Sequence, residues 1–143
     1  MSVFIIAEAG VNHNGDIAMA YQLVDAAVEA GADAIKFQTF KADKLVTKGA
    51  SKAAYQKGSL DKDELQHSML KKLELSFEAH YKIFDYCTNK GIQFLSTAFD
   101  EESMGFLVNN LGMETLKISS GDITNGPLLL AHARTKRKII IST

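Results

Sequence analysis

Five short apolar runs, separated by stretches of helical periodicity, constrain this 143-residue chain more than any other feature. The runs are 3–8, 34–39, 92–97, 115–119 and 139–143. The first is continuous rather than alternating, which suits parallel strands buried on both faces. Between the first two, Ile17, Ala20, Leu23, Val24, Ala27 and Val28 form the stripe of a helix with one buried face. Asp16 is placed to cap that helix and Gly31 to end it. A second helix starts after Ser76 and carries Phe77, Tyr81, Phe84 and Cys87 on one side, with Lys90-Gly91 at its end. A third opens at Asp100 or Glu101 and closes at Gly112. A fourth begins at Asn125, has Pro127 in its first turn, and ends in the basic run 134–138. One stretch breaks the rhythm. Residues 41–63 are polar, contain Gly49 and Gly58, and read as a functional loop leading to a short helix over 63–73.

The predicted order is therefore β-α-β-loop-α-β-α-β-α-β, a parallel α/β fold. An open doubly wound sheet would be complete at this length. A (β/α)8 barrel needs about 250 residues, so these would be its first five or so β/α units. The strand ends decide between them. Glu8, then Lys36 and Gln38, then Ser96 and Thr97, then Lys117, Ser119 and Ser120, then Ser142 and Thr143 put polar groups after every run. A doubly wound sheet concentrates its site at one switch point, whereas every strand of a barrel contributes to the mouth. Neither GxxxxGK[ST] nor GxGxxG follows the first run. The expected fold is the first part of a (β/α)8 TIM barrel, with residues 1–143 the N-terminal portion of the barrel domain. The last run ends on Ile-Ile-Ile-Ser-Thr143, so further chain is expected beyond it.

Charge and composition narrow the partners. Sixteen Lys and Arg against 17 Asp and Glu leave a net charge of −1, without the basic excess of a nucleic-acid binder. No apolar run approaches the roughly 20 residues that span a bilayer, and no signal peptide opens the chain. The single cysteine, Cys87, excludes an intramolecular disulfide framework and reads as a small buried helix residue. A cytoplasmic location is expected.

Lys36 and Lys117 each interrupt an apolar strand. A lone ammonium is costly to bury, so a strand lysine generally has an anionic partner or ligand. The partner could be Glu8 or an Asp, or the side chain could snorkel out of the sheet. Two lysines with hydroxyls at neighbouring strand ends also suit a ligand carrying both phosphate and carboxylate. Glu8 is then a candidate acid or base, a hydrogen-bond acceptor for a polar substrate, or simply an ion-pair partner. His13, between Asn12 and Asn14, reads as a turn residue before a metal ligand. His67, His80 and His132 are expected on helix surfaces. No histidine or cysteine cluster with metal-ligand spacing occurs in the chain.

Five motifs in order carry a family resemblance. They are Ile6-Ala-Glu-Ala-Gly-Val-Asn-His-Asn-Gly-Asp16, Lys36-Phe-Gln-Thr39, Met69-Leu-Lys-Lys-Leu-Glu-Leu-Ser76, Phe94-Leu-Ser-Thr-Ala-Phe-Asp100 and Leu116-Lys-Ile-Ser-Ser-Gly-Asp-Ile-Thr-Asn125. Together they resemble the sialic acid (N-acetylneuraminate) synthase family along the whole chain. The resemblance implies a barrel that condenses phosphoenolpyruvate with an N-acylated amino sugar. N-acetylmannosamine would give N-acetylneuraminate and phosphate; a legionaminic or pseudaminic acid synthase would share the same phosphoenolpyruvate site. A non-catalytic anion-binding module is the reading outside enzymes. By the same resemblance Lys36, Lys117, Thr97, Ser120 and Ser142 hold phosphoenolpyruvate. Glu8 meets the sugar near its reacting carbon, with a role in proton transfer, and Gln38 is a sugar contact.

The family uses a divalent metal, manganese or magnesium, whose histidine ligands come from later strands, and it forms dimers capped by a C-terminal antifreeze-like domain. Neither those strands nor that domain lies within this sequence, so the fragment alone is expected to be inactive and to associate. Residues 41–63 also contain no asparagine, where some members place a sugar contact.

Overall fold

A computed structural model describes residues 3–46 and 66–143. The strands are β1 (Ile6–Gly10), β2 (Ala34–Thr39), β3 (Gln93–Ala98), β4 (Thr115–Ile118) and β5 (Lys138–Ile141). The helices are α1 (Ile17–Glu29), α2 (Ala42–Leu45), α3 (Gln66–Leu73), α4 (Phe77–Lys90), α5 (Glu101–Asn109) and α6 (Gly126–Arg134), with a 3₁₀ turn at Ser120–Asp122. Every strand pairing is parallel, and the sheet runs β1-β2-β3-β4-β5 in chain order. A doubly wound sheet must reverse its order at a switch point. Sequential order without reversal is the winding of a (β/α)8 barrel, of which these are five consecutive units.

The capping chemistry follows the sequence. The Ala18 N–H donates to Asp16 Oδ1 at 2.7 Å, and the Ala79 N–H to Ser76 Oγ at 3.0 Å. Ser103 N–H donates to Asp100 Oδ1 at 2.8 Å, so Asp100 rather than Glu101 opens α5. Asn125 accepts from the Leu128 N–H at 3.3 Å. Each such cap satisfies an amide that the helix leaves without an intrahelical partner.

Several boundaries differ from expectation. β1 begins at Ile6, opposite Ala34 at the start of β2; the Ile5 carbonyl still accepts from the Asp33 and Ala34 N–H groups at 2.9 and 3.1 Å, and Val3, Phe4 and Ile5 are all exposed. The strand continues to Gly10 through a bulge at Ala9. The short helix α2 stands where an irregular loop is expected, and residues 47–65, with Gly49, Gly58 and Asp63, lie outside the described residues. α6 stops at Arg134: the Thr135 hydroxyl donates to the His132 carbonyl at 2.7 Å, and Lys136 takes a left-handed φ of 56° that turns the chain into β5.

The core fills the space between the sheet's outer face and the helices. Phe37, Ile35, Val24, Ile83, Leu107 and Leu116 are fully buried there, each contributing about 1.5–3 kcal/mol relative to exposure. Phe37 stacks on Phe94 at 5.7 Å, and Phe84 meets Phe94 edge-on. Cys87 is buried in this layer, as expected, and burial pushes its thiol up to about 12.

Three histidines join the core. His80 and His132 are buried rather than on helix surfaces, while His67 is half-buried. Both buried rings donate from Nδ1 to the carbonyl four residues earlier, Ser76 and Leu128 respectively, at 2.9 Å. That bond lets an imidazole sit in an apolar stripe without stranding its N–H. His13 is a turn residue, as expected: the Gly15 N–H donates to its Nδ1 at 3.0 Å. Its ring is fully buried beside Phe37. Burial, and then the neighbouring His80 ring, lowers its pKa to about 4.

Two stability predictions follow from this layer. Gly15 has φ +78°, and a Cβ there would stand 2.2 Å from the Lys72 carbonyl oxygen, whereas Gly31, at φ +72°, has open space around it. Gly15→Ala is expected to cost more than about 2 kcal/mol in urea unfolding, and Gly31→Ala only about 1–2 kcal/mol of backbone strain. Equal losses would show that the Lys72 contact is not what demands glycine. The second concerns acid. His13 binds its proton in the unfolded chain near pH 6.5 but in the folded chain only near 4, so stability falls as pH drops through that window. The slope due to His13 approaches about 1.4 kcal/mol per pH unit. Urea midpoints from pH 6.5 to 4.5 should show a shallower loss in His13→Gln than in the wild type; parallel curves would contradict it.

Candidate active site

In a parallel sheet, residues directly opposite one another share a face, and faces alternate along each strand. Glu8 stands opposite Lys36, Gln38 opposite Thr97, and Thr97 opposite Lys117. All five side chains therefore occupy the inner face, away from the helices, near the carboxyl ends of β1 to β4. Ser142 follows β5, half-buried, and its N–H donates to the Ile118 carbonyl at 3.2 Å. Ser120 is exposed in the 3₁₀ turn after β4. Neither serine bonds to a lysine, so the rim brings them to the same end of the sheet without joining them to the charged group. Ser96, named among the polar strand ends, faces the helices instead.

The charged group is compact. Lys36 Nζ forms an ion pair with Glu8 Oε2, the lysine largely buried and the glutamate half exposed. Lys117 Nζ donates to the Ile118 carbonyl at 2.6 Å. Burial, followed by repulsion from the Lys36 ammonium, lowers the Lys117 pKa; Glu8 acts in the opposite direction. One carboxylate, paired to Lys36, thus stands against two ammonium groups, and Lys117 is held only by a neutral carbonyl. The arrangement carries a positive charge that nothing on the inner face neutralises among the described residues, which is the electrostatic condition for capturing an anion. The ion-pair reading of Lys36 is realised in this geometry.

Gly10 shapes the opposite side of the cup. Its φ is +53°, and a Cβ there would lie 3.2 Å from Glu8 Oε1 and 3.6 Å from Gln38 Nε2. The Glu8 carboxylate and the Gln38 amide therefore converge over the bare glycine. The signal in the sequence is a glycine two residues after a strand-end glutamate, a pattern of the kind that marks a bulge.

Behind the cup, a buried polar chain anchors the strand ends. With its Nδ1 proton committed to the Ser76 carbonyl, His80 accepts at Nε2 from the Thr39 hydroxyl at 2.9 Å. Thr39 in turn accepts from Ser96 at 2.7 Å. Burial is the main cause that lowers the His80 pKa, and a neutral ring fits this directed chain. Sequence reasoning missed it, although His80, Ile83 and Cys87 share one helical stripe. The Met69–Ser76 motif has a comparable function: Glu74 accepts from the Ala42 N–H at 3.0 Å and from Lys71 at 3.0 Å, tying the entry of α4 to the start of α2.

Residues 23–143 match the model of the NeuB family. The chain belongs to the NeuB family. It is 56% identical over 143 residues to an N,N'-diacetyllegionaminic acid synthase of Legionella pneumophila, covering all of this chain and 40% of that protein. It is 35% identical over 141 residues to the N-acetylneuraminate-9-phosphate synthase of Mus musculus, covering 98% and 38%. A crystal structure of an N-acetylneuraminic acid synthetase from Leptospira borgpetersenii superposes with a TM-score of 0.80 at 33% identity, covering 99% of this chain and 44% of that one. The chain thus spans about two fifths of the length of these relatives.

The family resemblance implies a divalent metal. Among the described residues, no group of three or more His, Cys, Asp and Glu stands together to hold one, and His13, His80 and His132 are all turned into the core. The described residues do not fit a metal centre. No helix among the described residues is long and apolar enough to cross a membrane.

The electrostatics of this NeuB-family cup predict a pH signature. An anion in contact with Lys117 restores the ammonium that burial and Lys36 disfavour, so binding above neutrality takes up protons. Affinity for inorganic phosphate should fall as pH rises, beginning below the ordinary lysine range. Calorimetry from pH 7 to 9.5 in buffers of different ionisation enthalpy would measure the uptake; pH-independent binding without proton uptake would contradict it.

Proposed function

We propose that this chain supplies the phosphoenolpyruvate half-site and one wall of the sugar site in an enzyme that condenses phosphoenolpyruvate with an N-acylated amino sugar. The observation that carries this reading is the pair of inner-face lysines, from β2 and β4, of which only Lys36 is paired with a carboxylate, that of Glu8. Phosphoenolpyruvate presents a phosphate and a carboxylate on a small rigid carbon frame. Lys36 and Lys117 supply charge for both, and Thr97, standing between Gln38 and Lys117 in the register, offers a hydroxyl to orient them. Ser120 and Ser142 complete the rim.

In this reading the enol carbon attacks the open-chain sugar aldehyde, forming the carbon–carbon bond. Water then adds to the resulting cationic carbon and gives up a proton, and the adduct collapses to the keto acid as phosphate leaves with the carbon–oxygen electron pair. Glu8 is placed to serve the sugar side. An incoming anion competes with Glu8 for Lys36, which frees the carboxylate to accept a hydrogen bond from the sugar near its reacting carbon, or to carry the proton that the water loses to the aldehyde oxygen. Gln38, beside Glu8 over Gly10, directs an amide at the same substrate. For the sugar, identity of 56% to a diacetyllegionaminic acid synthase against 35% to a neuraminate-9-phosphate synthase favours a doubly N-acylated substrate over N-acetylmannosamine.

The test is a steady-state assay of phosphate release by the natural full-length polypeptide with phosphoenolpyruvate and each sugar. Lys117→Met is expected to lower kcat/KM for phosphoenolpyruvate by about 30-fold or more, the loss of one charge-assisted contact worth roughly 2 kcal/mol or above. Gln38→Ala should act on the sugar KM while leaving that of phosphoenolpyruvate near its wild-type value. Undiminished turnover in Lys117→Met would overturn the assignment.

A further inference from the structure

Beside Gln38 the inner face opens into a cavity of about 280 Å³, away from the lysines. Its lining includes Gln38, Phe40, Leu45, Gln66, Leu70 and Phe99, without a charged side chain among the described residues. Phe40 is buried and meets Phe99 edge-on, with ring centroids 6.5 Å apart, so one wall is aromatic. The opposite wall is built from α2 and α3. Those two short helices are held together by His67 Nε2 on Asp43 Oδ1 at 2.8 Å. The Glu74 bond to the Ala42 N–H fixes the end of α3 against the start of α2. Three lysines adjoin lining residues in sequence: Lys41 Nζ lies 3.9 Å above the Phe77 ring and 3.6 Å from Glu74, Lys71 Nζ pairs with Glu74 at 3.0 Å, and Lys44 is exposed. The cavity therefore offers apolar walls and two neutral amides, and it is continuous with Gln38, which also faces Glu8 over Gly10.

That chemistry fits a neutral amide ending in a methyl group. We propose that this cavity is a specificity subsite for the second N-acyl group of the amino sugar, with Leu70 and Phe99 packing on the acyl methyl and Gln38 or Gln66 bonding its amide. The inference rests on the condensation reading above and deepens it. A sugar bearing a hydroxyl in place of that acylamido group would leave the apolar walls uncovered. It would also set a strongly hydrated group against them. Discrimination between the two sugars then comes from β2, α2 and α3, separately from the anion site. Contact of this kind is worth about 10–200-fold in selectivity.

The experiment uses the natural full-length polypeptide, with a 2,4-diacetamido hexose and N-acetylmannosamine as the two sugars. In the wild type, kcat/KM should favour the diacetamido sugar by tenfold or more. Leu70→Trp, which fills the cavity, should cut kcat/KM for the diacetamido sugar at least tenfold, through KM. It should leave that for N-acetylmannosamine and the KM for phosphoenolpyruvate within about twofold. Phe99→Leu, which enlarges the cavity, should improve the relative rate with a 4-propanamido analogue; this keeps the test decisive if the tryptophan variant does not fold. Condensation that persists with both sugars and shifts equally in either variant, or in neither, would overturn the subsite while leaving the reaction standing. Absence of condensation with every sugar in the wild type would overturn the reaction and the subsite together.

Discussion

Parallel pairing of five strands in chain order is the constraint on which the rest depends. Because neighbours in sequence are neighbours in the sheet, every carboxyl end arrives on one rim. Strand alternation then sends Lys36, Gln38, Thr97 and Lys117 to one face and Phe37, Thr39, Phe94 and Ser96 to the other. The inner face takes on charge because the outer face has already met the demand for burial. Phe37 and Phe94 contribute core packing from positions adjacent to the residues that carry the chemistry.

The position of each polar group is set from behind. A lysine on an inner strand face is expensive unless its surroundings are fixed, since a displaced ammonium loses its partner and keeps its desolvation cost. The Ser96–Thr39–His80–Ser76 chain ties β2 and β3 to the start of α4 at the level of Gln38 and Thr97. Asp100 does the same one turn later: it caps α5 and accepts from the Lys41 N–H at 2.9 Å, holding the exit of β2 against the exit of β3. These are hydrogen bonds of ordinary length between buried or part-buried partners, so their loss would leave polar groups poorly satisfied rather than merely remove contacts.

The fold was legible in the sequence where one physical signal dominated. Apolar runs identified all five strands, and Asp16, Ser76, Asp100 and Asn125 marked four helix starts through their caps. The inner-face residues were legible because a charge in an apolar run has few explanations. What failed was context that depends on partners distant in sequence. Val3 and Phe4 are as apolar as a strand, but β2 begins opposite Ile6 and meets only the Ile5 carbonyl before it. His80 and His132 look like surface residues until their Nδ1 bonds to the preceding turn are seen. The short helix α2 is too brief to show periodicity, and its position depends on Glu74, far along the chain. Ser96 was grouped with the site because its distance from Thr97 is one residue, yet one residue is half the period of a strand and reverses the face.

The anion cup and the cavity beside it divide the site's demands between different structural devices. Lys36, Thr97 and Lys117 stand on central strands, where the ladder allows little movement, and a phosphate and carboxylate of fixed shape suit rigid partners. The cavity wall stands on α2 and α3, two short helices held by side-chain bonds at their ends rather than by a shared ladder. In the proposed reading, substitutions at Leu45, Gln66 or Leu70 change the shape presented to a sugar without touching the register that positions the lysines, because the cavity wall and the strand ends are mechanically separate. Gln38 is the residue common to both: it stands on β2, in register with Thr97, and it also lines the cavity.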